Sequence, residues 1–397
     1  MTSPSLPVTR RCPYAPPEEH VAIRETEGIS RFTMPAGQEV WVLSRMADVR
    51  AMLTDQRFSS DRRHPNFPFT GKARGAPGSA DGIRPTLIMM DPPQHGAARR
   101  AVVPEFTVRR VAALRPRIQA IVDELIDALL AGPRPADLVK DLALAVPSLV
   151  ICEVLGVPYA DHEFFQTRTM GMVSRTVPPE DRRRYGDEVR QYLRDRVNEK
   201  RENPTDDLLG RQLAQGAEPE DVVTLAFGLL VAGHETTANM ISLGILALLE
   251  HPELRTALRA RPELMPAAVE ELLRVLTVAE FTTARVASTD IEFRGVTIRA
   301  GEGVLGLSNS ANHDPAAFRD PDEIRIDRNA RHHIAFGYGP HQCLGQHLAR
   351  TELQVVFGTL LRRVPGLRLA VPADQVPVKH DSTIYGLYEL QVTWDET

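Results

Sequence analysis

The sequence is poor in cysteine: Cys12, Cys152 and Cys343 are the only three among 397 residues. A sparse, odd-numbered set is not a disulfide framework and suits a reducing, cytoplasmic setting. Positive charge is not in excess either. Lys and Arg number 47 against 52 Asp and Glu, a formal charge of −5. The chain therefore has no overall basic footprint, and nucleic acid is not an expected partner. No GxGxxG follows a strand-like run, so a dinucleotide site for flavin or nicotinamide is not expected. The opening residues, MTSPSLPVTRRCPYAPP, hold no apolar core of a secretory signal. Internal repeats, low-complexity tails and linkers are also missing, which predicts one domain over 1–397. What remains is an ordinary globular composition, 43% hydrophobic and 25% charged, able to bury a large core.

One long apolar run is present. Across 222–249 the only ionisable residues are His234 and Glu235. The length would span a bilayer, but a carboxylate near the middle costs about 2.5–3.5 kcal/mol, and no flanking Lys/Arg cluster or aromatic belt accompanies it. No membrane span is expected. A helix over 220–250 through the core is predicted instead, and an ionisable residue inside it needs a reason.

The remaining pattern is mainly α with small β-sheets. A strand is predicted at 41–44 and helices at 46–53, 104–130, 138–155 (interrupted near Pro147), 188–201, 253–260, 263–276 and 344–362. A Gly/Ala/Pro-rich loop covers 71–85 and a polar connection 176–186. Short alternating runs over 284–307, punctuated by Gly295 and Gly301, predict a β-meander. The C-terminal YGLYELQVTW at 385–394 alternates like a strand.

Four segments could carry chemistry. In FGYGPHQCLG, a Gly-rich loop places Cys343 just before a helix. Helix N-terminal N–H groups and their partial positive charge favour a thiolate, and Gly337, Gly339 and Gly345 would let backbone approach a flat ligand. A thiolate held so can be an axial ligand of haem iron. A buried apolar cysteine is the other reading; zinc is disfavoured because no second cysteine lies nearby. In AGHETT, Ala232 and Gly233 leave room beside the long helix, while Glu235 and Thr236 pair an acid with a hydroxyl that can relay protons. A threonine bonded back to a helical carbonyl is the plainer alternative. Glu271 and Arg274, at i and i+3, share a helix face; alone they read as a surface ion pair. In MDPPQHGAARR, His95 and Arg99 project from one face at a helix start as two donors suited to a carboxylate, or form a solvated basic turn.

Together these motifs resemble the cytochrome P-450 family. FxxGxHxCxG is similar to its haem-binding loop, AGHETT to its oxygen-activating acid–alcohol pair, and Glu271-Leu272-Leu273-Arg274 to its ExxR pair, completed by Arg328 in IDRNARHHIAFG. All occur in the family's order, and the resemblance covers essentially the whole chain. Segments at 60–68 (SDRRHPNFP), 342–350 and 385–394 look most like an actinobacterial subfamily that hydroxylates macrolides, vitamin D-like sterols and xenobiotics.

The resemblance implies the family's triangular-prism fold, with haem b between the long central helix and the cysteine-loop helix. It implies Cys343 as iron ligand, with Phe336 near the thiolate side, and His95, Arg99, Arg285 and His341 on the haem propionates. Glu235 and Thr236 would move protons, and Glu271, Arg274 and Arg328 would hold the cysteine loop. Leu87, Ile88, Val231, Ala232, Thr283, Ile384 and the 170–177 connection would line the substrate pocket. The implied activity is insertion of one oxygen atom from O₂ into a hydrophobic substrate by a monomer. Electrons would come from a ferredoxin and its reductase, steered by Arg99, Arg100, Arg331 and Arg350. A peroxide-driven peroxygenase and a broad-range xenobiotic oxidase are the enzymatic alternatives, a haem sensor or a haem-free all-α binding module the others. The Glu235–Thr236 pair argues against the peroxygenase.

Overall fold

Hydrophobic periodicity carries most of the chain into helices. The computed structural model describes all residues except 1–2, 27, 36, 69–83, 280 and 396–397; most of the loop expected at 71–85 therefore lies outside the described residues. The chain opens with α1 (Glu18–Glu25), β1 (Ile29–Thr33), β2 (Glu39–Leu43), α2 (Met46–Thr54) and β3 (Phe58–Ser59). A helical stretch follows: α3 (Gln94–Val102), α4 (Val108–Ala131), then short β4 (Ala136–Asp137), α5 (Ala145–Leu155), α6 (His162–Val173), α7 (Pro179–Glu202), α8 (Leu208–Ala214), α9 (Pro219–Gly233), α10 (Glu235–Glu250), α11 (Pro252–Ala260) and α12 (Met265–Leu276). Strands β5 (Ala284–Ala287), β6 (Ile291–Phe293), β7 (Val296–Ile298) and β8 (Gly303–Gly306) form the expected β-region. Then come α13 (Ser308–Asn312), α14 (Gln346–Arg363), β9 (Arg368–Leu369) and β10 (Gln391–Thr393).

The largest sheet has the order β1-β2-β8-β5-β3, with β2 and β8 parallel and the other pairs antiparallel. Its register sets Arg285 opposite Val304. The main hydrophobic core joins side chains of α4, α5, α9, α10, α12 and α14, and α14 packs along α4 with α10 and α12 behind it. Cys343, just before α14, is thereby fixed to the most buried part of the molecule.

Three sequence expectations need correction. The helix expected over 220–250 is two, α9 and α10, interrupted at His234. Thr236 and Thr237 hydroxyls donate back to the carbonyls of Ala232 and Gly233 at 2.8 and 3.3 Å, a pattern that bends helices. The connection at 176–186 is mostly the first turns of α7, which starts at Pro179, where a proline sits without loss. The helix over 138–155 is, as expected, interrupted near Pro147, at Leu144. A π-helical turn at Val139–Ala143 precedes α5, and Pro147 lies in the first turn of α5, whose N–H groups need no helical partner. Of the strand expected over 385–394 only Gln391–Thr393 forms; its first residues instead close a hairpin, Val378 bridging Leu387. The 104–130 helix begins as a 3₁₀ turn at Val103–Phe106 before α4.

Candidate active site

The loop before α14 is built by its glycines. Gly337 and Gly339 take φ of 69° and 70°, a region that favours glycine, and a Cβ on Gly339 would stand 2.8 Å from the Leu53 carbonyl oxygen. The turn closes where Cys343 N–H donates to Phe336 O at 2.8 Å and Gly337 N–H to Ile334 O at 2.9 Å. Gly345 has nothing within 4 Å of where its side chain would be. A broad ligand can therefore approach there. Burial pushes the Cys343 thiol up, against the pull of the Gly345 N–H and the charges of Arg99 and Arg350. The helix-terminus effect expected from sequence is thus outweighed by desolvation, and a bound cation is what would hold the thiolate.

Behind this loop, Glu271 and Arg274 are not a surface pair. Neither side chain is exposed, and Arg274 donates twice to the carboxylate. Its other donors go to the carbonyls of Asn312, Pro321 and Glu323. Arg328 Nε adds a third contact to Glu271 at 3.1 Å, and Arg328 Nη2 reaches Asp320 O at 2.7 Å. The three side chains pin the segment that runs into the cysteine loop.

A cationic cluster lies on the same side. His95 is 3% exposed and its Nε2 is buried with no partner among the described residues. Its ring lies against that of His341, with centroids 4.0 Å apart and planes tilted by 32°, and His341 Nε2 lies 3.0 Å from Ser60 Oγ. Arg285 is 6% exposed, and the one bond described for its guanidinium is to the neighbouring Ala284 carbonyl. Arg99 donates to Gln342 O at 2.7 Å. Burial lowers every one of these groups, Arg285 to about 10 and His341 to about 3, with mutual repulsion adding to it at both. Arg62, which the sequence reading did not single out, joins them. Burial lowers it, and its charge is felt by both Arg285 and His341. Asp91 acts on His95 and Arg285 only at a distance, and among the described residues no salt bridge ties Arg62, Arg99 or Arg285 to an acid; positive groups drawn in from solvent this way are the signature of a site for anionic ligand groups.

The acid–alcohol segment sits at the α9–α10 break. Ala232 is exposed in the middle of this otherwise apolar stretch, and Gly233 lets Ile151 of α5 approach within 3.2 Å of a Cβ position. Thr236 Oγ1 is bonded to Ala232 O, so the hydroxyl and the carboxylate do not bond each other. Glu235 turns instead to Lys379 at 2.9 Å and to Asn239 at 3.1 Å. Burial opposes its charge, but Lys379, His234 and the hydrogen bonds outweigh that and hold Glu235 below the usual carboxylate value. His234 is buried, lowered by desolvation, and hydrogen-bonded to Leu230 O and to Thr169 of α6.

The expected pocket residues scatter in environment. Leu87 and Ile88 lie on a 3₁₀ turn packed on α9, with Ile88 exposed. Val231 is half-buried. Thr283 and Ile384 are buried, and the Thr283 hydroxyl is satisfied by Gly306 O at 2.5 Å. The 170–177 segment is the end of α6 and its link to the C-terminal hairpin, with Met170 exposed. Of the four arginines expected to steer a partner, Arg100 and Arg331 are exposed. Arg350 is not free for that role: it is bidentate to Glu270 at 2.6 and 3.0 Å and lies over the Phe336 ring at 4.6 Å.

The profile of the cytochrome P450 family matches residues 180–383. The chain belongs to the cytochrome P450 family. Pentalenic acid synthase of Streptomyces avermitilis is 49% identical, covering 99% of each chain. Vitamin D3 dihydroxylase of Streptomyces griseolus is 44% identical over 99% of this chain and 97% of its own. The crystal structure of cytochrome P450 MoxA from Nonomuraea recticatena superposes with a TM-score of 0.91 at 53% identity over 99% of both chains. This P450 is accordingly an oxidoreductase of a haem-iron family with the mainly helical P450 fold.

Its residues fit that group. Haem offers two carboxylates and broad apolar faces. The chain offers a buried cationic cluster with an orphaned His95 Nε2, an open face at Gly345, an exposed Ala232 on the facing helix, and a cysteine thiol. Among the described residues no three His, Cys, Asp or Glu side chains converge on a protein-only metal site. No described helix is long and apolar enough to cross a membrane.

Proposed function

We propose that this P450 works as one domain over 1–397, a cytoplasmic haem-thiolate monooxygenase that hydroxylates or epoxidises a macrolide or polyketide, sterol-like or terpenoid compound. When bound, haem supplies the iron at which O₂ is reduced and one oxygen atom is passed to the substrate. Cys343 holds the iron. His95, Arg99, Arg285 and His341, with Arg62, hold the propionates through charge-assisted hydrogen bonds. Glu271, Arg274 and Arg328 keep the cysteine loop in place, and Phe336 packs on the thiolate side under the Arg350 guanidinium.

Glu235 and Thr236 deliver protons. The Thr236 hydroxyl donates to Ala232 O, so its oxygen remains able to accept a bond, and Glu235 retains one oxygen without a partner among the described residues. Leu87, Ile88, Val231, Ala232, Thr283, Ile384 and the end of α6 orient the substrate through apolar contact and exclude water. Electrons come from a ferredoxin and its reductase, docked beside Arg100 and Arg331.

The observation that carries this reading is the buried cationic cluster beside the cysteine loop, which matches a dicarboxylate ligand. The names of the relatives, a vitamin D3 dihydroxylase among them, support a bulky hydrophobic substrate. Titration of the Soret band of the ferric protein with macrolides, polyenes, sterols, terpenoids and small drugs tests it. A tight low-to-high-spin shift with one of the first four classes is expected. A band moved only weakly by every class, drugs included, contradicts the stated substrate range and favours a broad xenobiotic oxidase.

A further inference from the structure

The carboxylate at the α9–α10 break is clamped on one side only. Its Oε1 accepts from Lys379 Nζ at 2.9 Å and from Asn239 Nδ2 at 3.1 Å, while Oε2 is buried and has no protein partner among the described residues. Asn239 closes the triangle: its Oδ1 accepts from Lys379 at 3.1 Å and its amide also holds the Glu235 carbonyl at 2.8 Å. Glu235, Asn239 and Lys379 are each at most 5% exposed. The close fit depends on Gly386, where a Cβ would stand 1.8 Å from Asn239 Oδ1.

Lys379 comes from the C-terminal hairpin, not from the helices. Its N–H donates to Gly386 O at 2.8 Å at the hairpin's base. The same hairpin is fastened to the end of α6, where Thr383 N–H and Oγ1 both donate to Val173 O, at 3.0 and 3.1 Å, and Ser174 bridges Ser382. One short segment thus touches the helix end expected to cover the substrate and the acid expected to deliver protons.

An ion pair that served packing alone would satisfy both carboxylate oxygens. This one leaves an oxygen without a partner among the described residues in a buried place, which is costly unless it has a use. The compact ammonium suits the task. It bonds one carboxylate oxygen and one amide oxygen in a space where the planar fork of an arginine would engage both carboxylate oxygens. His234 is the other titratable group that acts on Glu235, and it is buried and lowered.

We infer that Lys379 is a positioning residue for proton delivery: it clamps Glu235 Oε1 from the C-terminal hairpin so that Oε2 alone accepts and releases the proton. The inference rests on the reading of Glu235 as proton donor given above. Without the ammonium, a buried carboxylate favours its neutral form and loses its fixed orientation.

The test uses the haem-loaded enzyme with a substrate found in the Soret titration. In Lys379→Met, product formed per NAD(P)H consumed should fall roughly tenfold to a hundredfold, with the substrate-induced spin shift retained. Lys379→Arg, whose planar fork would engage both carboxylate oxygens, should recover little of the loss. In a Glu235→Gln background, Lys379→Met should cause no further fall. A readout without turnover accompanies this. The infrared spectrum of Lys379→Met should gain a protonated-carboxyl band that is absent from the wild type and from the double variant. If Lys379→Met yields no folded protein, Lys379→Gln, which keeps a donor without the charge, carries the same measurements. Unchanged coupling in Lys379→Met or Lys379→Gln, while Glu235→Gln is impaired, overturns the inference and leaves the role of Glu235 standing. Unchanged coupling in Glu235→Gln overturns that role and the inference with it.

Discussion

Arg274 meets Glu271 along one edge of the carboxylate, Nε 2.9 Å from Oε2 and Nη2 2.8 Å from Oε1, with neither side chain exposed. The pair is one turn apart on α12, yet its remaining bonds reach across to the segment that leads into the cysteine loop. Its value is therefore positional: it ties a helix to a loop with no regular structure of its own.

Removing one partner should be severe. Arg274→Ala leaves the buried Glu271 with only Arg328 and the Arg325 N–H, and takes the Arg274 donor from the carbonyls of Asn312 and Pro321, a loss of about 3–5 kcal/mol. The expected outcome in thermal unfolding is a large drop in midpoint together with poor haem incorporation. A variant with near-native stability and full haem content would show that the pair is dispensable.

The Glu270 carboxylate predicts how the cysteine loop responds to acid. Burial works against its charge, but His333, with Nε2 3.2 Å away, and Arg350 hold it at about 2. A carboxyl lowered on folding stabilises the native state above its unfolded value of about 4.3. That contribution fades as pH falls from there toward 2. Glu270→Gln should be less stable than wild type at pH 6, and the gap should narrow on acidification. A gap that stays constant between pH 6 and pH 3 contradicts this.

Arg285 and Arg62 should govern how firmly haem is kept. Each lost charge-assisted bond is worth about 1.5–3 kcal/mol, so Arg285→Leu should release haem to a scavenger roughly tenfold faster or more. Arg62→Leu should act in the same direction. Unaltered release in both would remove the cationic cluster from the haem site.

The two kinds of basic residue on the cysteine side should separate kinetically. Arg100 is exposed, whereas Arg350 is locked to Glu270. Arg100→Glu should slow reduction by ferredoxin at low ionic strength and spare peroxide-driven turnover. Arg350→Glu should impair both alike, because it sets a carboxylate against Glu270. Equal losses in Arg100→Glu would exclude it from docking.

The parts of the site that were readable in the sequence are those whose partners lie close in the chain. FGYGPHQCLG carries its own turn-forming glycines, and Glu271 and Arg274 are neighbours on one helix face. Even there, burial was not readable: an i, i+3 pair looks the same on a surface as in a core. The break at His234 was hidden because His234 and Glu235 are the only ionisable residues in the mostly apolar run from 222 to 249; what interrupts the helix is side-chain hydroxyls competing for carbonyls. Arg62 and Lys379 carry no local signature at all. Each becomes meaningful only when tertiary packing sets it beside Arg285 or Glu235. The C-terminal alternation was misleading because Lys379 and Gly386 close a hairpin there instead of extending a strand.

The most direct measurement is the Soret band of the reduced, haem-loaded protein under carbon monoxide, compared between wild type and Cys343→Ala. The wild type should show the strongly red-shifted band of thiolate-ligated haem, and Cys343→Ala should lose it. A wild type fully loaded with haem but without that band, or a Cys343→Ala variant that keeps it, would contradict the assignment of Cys343 as the iron ligand.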